Sequence, residues 1–100
     1  MKKLQNFVNG KFIDSASGET TTLINPTTGE AFATAPNSNA ADVDRAMKAA
    51  SAAFPIWRDS TPSERQRALL KIADAVVARA EEFVEIESEN CGKPKSLTAS

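Results

Sequence analysis

Residues 36–47 read PNSNAADVDRAM, and within this stretch the chain changes from a strand pattern to a helix pattern. Before it, Thr, Asn, Gly, Ser and Phe predominate, which is typical of short strands and turns. After it, Ala, Glu, Arg and Leu predominate, and apolar residues recur at helical spacing. Asn39 is a good N-cap, and the helix dipole favours Asp42 in the first turn. We therefore predict strands and turns over residues 1–38 and a helical part over residues 39–92.

The strand part is organised by two turn signals. Asn9-Gly10 supplies two residues that tolerate positive φ, as a type I′ hairpin requires, and apolar residues flank it. The β-branched residues 20–24 predict an extended segment, and Pro26 with Gly29 predicts a turn over residues 25–30. Residues 31–35 are expected to return as a strand that Pro36 ends.

The helical part contains two start signals. A stripe from Val43 to Phe54 predicts a first helix that Pro55 closes, with Ile56 and Trp57 in a short connection. Residues 61–64, Thr-Pro-Ser-Glu, predict a capping box that begins the second helix. A break is expected at residues 80–82. Finally, Gly92 is a predicted C-cap, and Pro94 prevents continuation of the helix.

Composition excludes several classes of protein. With 12 basic and 13 acidic residues and no basic run, neither nucleic acid nor an anionic membrane is an expected partner. A single Cys precludes an intrachain disulfide, and no apolar stretch approaches the roughly 20 residues that span a bilayer. We therefore expect a cytoplasmic location. The apolar fraction of 41% includes 17 Ala, so the chain has few large side chains with which to build a core.

The chain lacks the residues that most catalytic sites use. The chain has no His, and its four glycines are too scattered to form a phosphate loop or a dinucleotide-binding turn. Cys91 is either a nucleophile near a helix end or a small, partly buried thiol beside a C-cap. The negative end of a helix disfavours a thiolate, so we favour the structural role. The acids between Glu81 and Glu89 form either a cation site or a solvated helix face, and we favour the latter. We predict no catalytic and no cofactor-binding residue.

Six phrases occur in a distinctive order: Phe7–Phe12, Asn25–Glu30, Asp42–Ala46, Pro62 with Arg65, Leu70–Asp74 and Gly92–Pro94. This series resembles the N-terminus of the NAD(P)-dependent aldehyde dehydrogenase family. The run from Glu87 to Pro94 is similar to the branch that oxidises amino aldehydes such as aminobutyraldehyde or betaine aldehyde.

The resemblance implies that this chain is part of a longer α/β enzyme, which we call the parent. The parent would have a Rossmann-type nucleotide-binding domain, to which both parts of this chain would belong. The segment itself is expected to be α+β, with a β-hairpin and short strands followed by two or three amphipathic helices. The parent would continue past residue 100, form a homo-oligomer, and oxidise an aldehyde to the carboxylic acid with NAD or NADP. Cys91 does not match the family's nucleophile motif, so the segment alone is predicted to be inactive and to need the remainder of the parent as its partner.

One family feature implies a site within the chain. Many members hold a structural monovalent cation on backbone carbonyls just before the Asn-Pro turn, and here those carbonyls belong to Leu23 and Ile24. The alternative is that both carbonyls are ordinary members of a strand ladder, and for this chain taken alone we favour that alternative. A rival interpretation of the whole chain is a stand-alone α+β module that binds a protein partner through its helix stripes.

Overall fold

A computed structural model describes residues 1–99 of the chain, and Ser100 lies outside the described residues. Short strands come first and helices follow, as the change of pattern near residue 39 predicts. The strands are β1 (Lys2–Lys3), β2 (Asn6–Val8), β3 (Lys11–Ile13), β4 (Thr20–Ile24) and β5 (Ala31–Pro36). The helices are α1 (Ala40–Arg58), α2 (Pro62–Ala78), α3 (Ala80–Cys91) and α4 (Lys95–Thr98). The mixed α+β class of the segment is confirmed.

The strands form two small sheets. Strands β2 and β3 make the predicted hairpin, in which Asn9 at φ 53° and Gly10 at φ 76° provide the two positive-φ turn positions. Strands β1, β5 and β4 form the other sheet, in that order. There β4 and β5 are antiparallel, whereas β1 and β5 are parallel, and the two-residue strand β1 is an element that the sequence analysis did not anticipate.

Helix α1 begins where predicted. The Asn39 side chain accepts from the backbone N–H groups of Ala41 and Asp42, and the Asp42 carboxylate accepts in return from the N–H of Asn39. The predicted end at Pro55 is wrong, because the helix runs to Arg58 and includes Ile56 and Trp57. Proline removes one i→i−4 hydrogen bond, but its own φ is helical and its carbonyl still accepts, so the turn that follows it can form. The N–H of Asp59 donates to the Pro55 carbonyl at 3.0 Å.

Helices α2 and α3 also follow their sequence signals. Thr61 and Glu64 form the predicted capping box, with Pro62 at the first helical position. The break between α2 and α3 falls at Arg79, one residue before the predicted break at residues 80–82. Gly92 caps α3 at φ 74°, and Pro94 precedes the single turn α4.

Two compact units divide the chain: residues 1–24 with 31–59, and residues 25–30 with those from 60 onward. Neither unit has a large core. Across residues 1–99, Ala33 is the one apolar residue that is fully buried. Large side chains on all three long helices are exposed, among them Met47 at 64%, Ile72 at 60% and Phe83 at 51%. None of the helices in residues 1–99 is both long and apolar enough to cross a membrane.

Candidate functional site

The predicted cation-binding carbonyls lie at an irregular point of the sheet. Leu23 pairs with Ala33, but the next residue, Ile24, pairs with Ala31, so one residue of β5 is left over. Such a bulge disrupts the ladder locally and leaves the extra residue without a cross-strand partner. Leu23 is half-buried and Ile24 is 51% exposed. The carbonyls of Leu23 and Ile24 therefore flank a break in an otherwise regular strand pair.

The turn after Ile24 is held by its own backbone and side chains. The N–H of Gly29 donates to the Asn25 carbonyl at 2.8 Å, and the N–H of Asn25 donates to the Glu30 carbonyl at 2.9 Å. Two side chains add local bonds, since Asn25 Oδ1 accepts from the N–H of Thr27 and Thr28 Oγ1 accepts from the N–H of Glu30. Gly29 takes the predicted positive φ, 74°. The turn geometry is thus encoded within six residues.

The turn over residues 25–30 packs against the cap of α3. A Cβ atom built on Gly92 would lie 3.1 Å from Cγ of Pro26 and 3.5 Å from Oγ1 of Thr27. The first distance is tighter than ordinary van der Waals contact. Gly92 therefore serves two needs: its positive φ closes α3, and its missing side chain makes room for Pro26. Two of the phrases that carry the family resemblance, Asn25–Glu30 and Gly92–Pro94, meet at this contact.

A second polar cluster ties a loop to the start of α1. Asp42 is 6% exposed, and its Oδ1 accepts from the N–H of Ala16 at 2.8 Å. Ser15, 7% exposed, donates from Oγ to the Glu19 carbonyl. The hydrogen bond from the N–H of Asn39 is the largest cause that lowers the pKa of Asp42, and the bond from Ala16 and the charge of Arg45 act in the same direction. These contacts order the loop between β3 and β4.

Cys91 lies at the last residue of α3 and is exposed, whereas a partly buried thiol was expected. Its Sγ lies 3.2 Å from the Glu87 carbonyl and 3.1 Å from Glu87 Oε1, one turn earlier. The thiol thus contacts a backbone carbonyl and a carboxylate, whereas reactive cysteines lie in electropositive surroundings. This surrounding is opposite to that of an activated nucleophile.

The acidic residues of α3 are engaged separately. Glu82 accepts from Arg79 at 2.6 Å, and Glu85 accepts from Lys95 at 2.7 Å. Residues 1–99 contain no group of three or more His, Cys, Asp or Glu arranged to hold a metal ion. Arg65 is half-buried, and its Nη1 donates to the carbonyl of Ser60, so its guanidinium caps local backbone. These side chains therefore form ion pairs and caps.

Comparison with known proteins identifies a family and several solved structures to which this chain is similar. Residues 12–100 match the model of the aldehyde dehydrogenase family. A 2-hydroxymuconic semialdehyde dehydrogenase of Pseudomonas sp. (strain CF600) is 42% identical over 99% of this chain and 21% of its own length. Among solved structures, an NAD-dependent aldehyde dehydrogenase from Sinorhizobium meliloti is 39% identical, with a TM-score of 0.93 over 99% of this chain and 20% of that one. One from Burkholderia cenocepacia, described as a putative aldehyde dehydrogenase, is 35% identical, with a TM-score of 0.95 over 100% of this chain and 20% of that one.

The chain belongs to the aldehyde dehydrogenase family. It spans about a fifth of the length of the relatives that it matches. The bulge at Leu23 and Ile24 and the contact between Gly92 and Pro26 were not visible in the sequence, although the turn and the cap that create them were.

Proposed function

We propose that this chain is the N-terminal part of an NAD(P)-dependent aldehyde dehydrogenase and that its role there is structural. The parent would oxidise an aldehyde to the carboxylic acid, and the catalytic residues would come from the other four fifths of the enzyme. Membership of the family and the lengths of its relatives support this proposal. By the same proposal, residues 1–38 and 39–92 both belong to the nucleotide-binding domain of the parent.

The observation that carries this proposal is the exposure of the chain's large apolar side chains. Met47 and Phe54 on α1 are 64% and 56% exposed, and Leu69 and Ile72 on α2 are both 60% exposed. Monomeric proteins rarely leave such faces uncovered. A larger protein body that covers them is the simplest reason for their presence.

The residues of this chain do not fit a nicotinamide cofactor. Gly10, Gly18, Gly29 and Gly92 are isolated in turns and a cap, so no glycine-rich turn precedes a helix that could receive a pyrophosphate. The NAD(P) of the proposal therefore belongs to the parent, and its support is the NAD-dependence named for the relative from Sinorhizobium meliloti.

We also propose that the carbonyls of Leu23 and Ile24 contribute to a monovalent cation site of the parent. The irregularity between these residues supports this, because it interrupts the regular strand ladder at the two carbonyls. Carbonyl oxygens are ligands that a hard cation accepts. Two carbonyls are too few to complete a coordination shell, and the remaining oxygen ligands would come from the rest of the parent. The amino-aldehyde specificity suggested by the Glu87–Pro94 run and a homo-oligomeric parent remain part of this proposal.

A chimeric enzyme tests the proposed function. The matching fifth of the 2-hydroxymuconic semialdehyde dehydrogenase is replaced by this chain, and NAD reduction is followed with a panel of amino and semialdehyde substrates. We expect turnover within about tenfold of the unmodified enzyme, since the exchanged part carries no reacting group. The 100-residue chain alone should give no turnover. A chimera that folds without activity, or one that does not fold, would favour the stand-alone interaction module.

A further inference from the structure

The tip of the β2–β3 hairpin holds an amide side chain directly before a glycine. Asn9 and Gly10 are both exposed, and both have positive φ, 53° and 76°. Within residues 1–99, no hydrogen bond engages the side-chain amide of Asn9 or the backbone N–H of Gly10. A Cβ atom built on Gly10 would meet nothing within 4 Å. The carboxamide of Asn9 and the backbone nitrogen that follows it are therefore both open to solvent.

This pair of groups can react without an enzyme. Once hydroxide removes the proton of the Gly10 N–H, the nitrogen can attack Cγ of Asn9, and glycine has no Cβ to hinder the approach. The new N–Cγ bond closes a five-membered succinimide, and the side-chain nitrogen of Asn9 leaves as ammonia with a proton from water. Water then adds to one of the two ring carbonyls and opens the ring to aspartate or isoaspartate. No oxidant or reductant takes part.

The other asparagines each lack one part of this arrangement. Asn25 precedes Pro26, which has no N–H with which to attack. Asn37 is exposed, but the Cβ of Ser38 hinders the attack of its nitrogen. Side-chain hydrogen bonds or helical backbone hold the remaining three, which are Asn6, Asn39 and Asn90. The reaction is therefore selective for Asn9.

The closed hairpin controls how often the reaction can occur. Ring closure turns the backbone of Asn9 out of the type I′ conformation, so the hairpin has to open first. Strands β2 and β3 form a two-stranded sheet of three residues each, and so small a hairpin opens readily. The rings of Phe7 and Phe12 lie opposite each other, 5.1 Å apart between centroids, and stabilise the closed form. The aromatic pair therefore slows the reaction at the tip.

We propose that Asn9 is a self-modification site, which converts to aspartate and isoaspartate at a rate set by opening of the hairpin. Isoaspartate inserts a methylene into the main chain, so the two-residue turn no longer has the length that joins β2 to β3. Either product adds a negative charge at the tip. The proposal concerns the hairpin of this chain and does not rest on the proposed function.

Peptide mapping by mass spectrometry tests the proposal after incubation of the purified chain in mildly alkaline solution. The tryptic peptide of residues 4–11 should gain about 1 Da at Asn9 and separate into aspartate and isoaspartate forms. The gain should be at least about tenfold faster than any gain at Asn37, where a side chain hinders the attack. An unchanged Asn9, aspartate without isoaspartate, or a faster gain at Asn37 would overturn the proposal.

Three variants separate the chemistry from the control by the hairpin. Gly10→Pro removes the attacking N–H and should abolish isoaspartate at Asn9 even where the hairpin does not form. Phe12→Ala removes the aromatic pair and should speed the conversion about two- to tenfold. Phe83→Ala, on α3, is the matched control and should leave the rate unchanged. Isoaspartate in Gly10→Pro, or equal rates in Phe12→Ala and the unsubstituted chain, would contradict the proposal.

Discussion

Asp42 Oδ1 accepts a hydrogen bond of 2.8 Å from the backbone N–H of Ala16, 26 residues earlier in the chain. The same carboxylate caps α1 through its other oxygen, which accepts from the N–H of Asn39 at 3.0 Å. One side chain therefore joins the first turn of α1 to the loop between β3 and β4. Both bonds need the ionised form or are stronger with it, which is why they lower the pKa of Asp42 below its ordinary value of 3.8.

This cluster predicts how stability depends on pH. A pKa that is lower in the folded chain means that the stabilisation is present above the unfolded pKa and is lost as the pH falls through the folded pKa. We therefore expect the unfolding midpoint in urea to be steady from about pH 7 to 5 and to fall below about pH 4. Asp14 and Glu82, whose pKa values are also lowered, contribute in the same window.

Two matched substitutions isolate the contribution of Asp42 to this pH dependence of stability. Asp42→Asn should lower the midpoint at pH 7 and flatten its decline in acid, because an amide offers one acceptor oxygen where the carboxylate offers two. Asp44→Asn removes the exposed ion pair with Lys48 and should change little. Equal effects of the two substitutions would show that the bond to Ala16 is unimportant.

The contact between Gly92 and Pro26 predicts a difference between two glycine positions. Gly92 and Gly29 share φ 74°, but a Cβ on Gly29 meets nothing within 4 Å, whereas one on Gly92 meets Pro26 at 3.1 Å. Gly29→Ala should cost about 1–2 kcal/mol from the left-handed backbone alone. Gly92→Ala should cost more, because Pro26 must also move. Heat inactivation of the chimeric enzyme measures both, and similar inactivation temperatures would mean that the turn does not pack on the cap there.

Pro55 provides a stabilising prediction. It lies within α1, where the carbonyl one turn earlier loses its partner because proline has no N–H. Pro55→Ala should restore that bond and raise the free energy of unfolding by roughly 1–3 kcal/mol, as followed by circular dichroism in urea. Ile56 is 81% exposed, so Ile56→Ala should leave the free energy of unfolding within about 0.5 kcal/mol of that of the unsubstituted chain. A lower midpoint for Pro55→Ala would show that the helix does not continue through residue 55.

The starts and ends of elements were predictable where the signal is local. The N-cap at Asn39, the capping box at Thr61 and the turn at Asn9-Gly10 each depend on residues within four positions of one another. The end of α1 was predicted wrongly because the rule that helices end before proline is only a tendency. Here three further helical residues offset the free-energy cost of Pro55 within the helix. Strand β1 escaped notice because two lysines have no strand signal, and their pairing with β5 is decided by tertiary contact.

In the candidate site, too, the features that depend on local sequence were predictable, whereas those that depend on tertiary contacts were not. The turn over residues 25–30 and the cap at Gly92 are visible in the sequence because Pro and Gly restrict the backbone in known ways. The bulge opposite Leu23 and Ile24 depends on how β5 returns after that turn, and the approach of Gly92 to Pro26 joins residues far apart in the chain. Neither follows from local pattern.

The central claim is that the apolar faces of this chain are covered by the rest of an aldehyde dehydrogenase. The most direct test compares Met47→Ala in the 100-residue chain and in the chimeric enzyme. Met47 is 64% exposed in the chain, so the substitution should change the free energy of unfolding of the chain by less than about 0.5 kcal/mol. In the chimera, where we predict that Met47 is buried, it should cost about 2–5 kcal/mol. A cost in the chimera as small as that in the chain would contradict the claim.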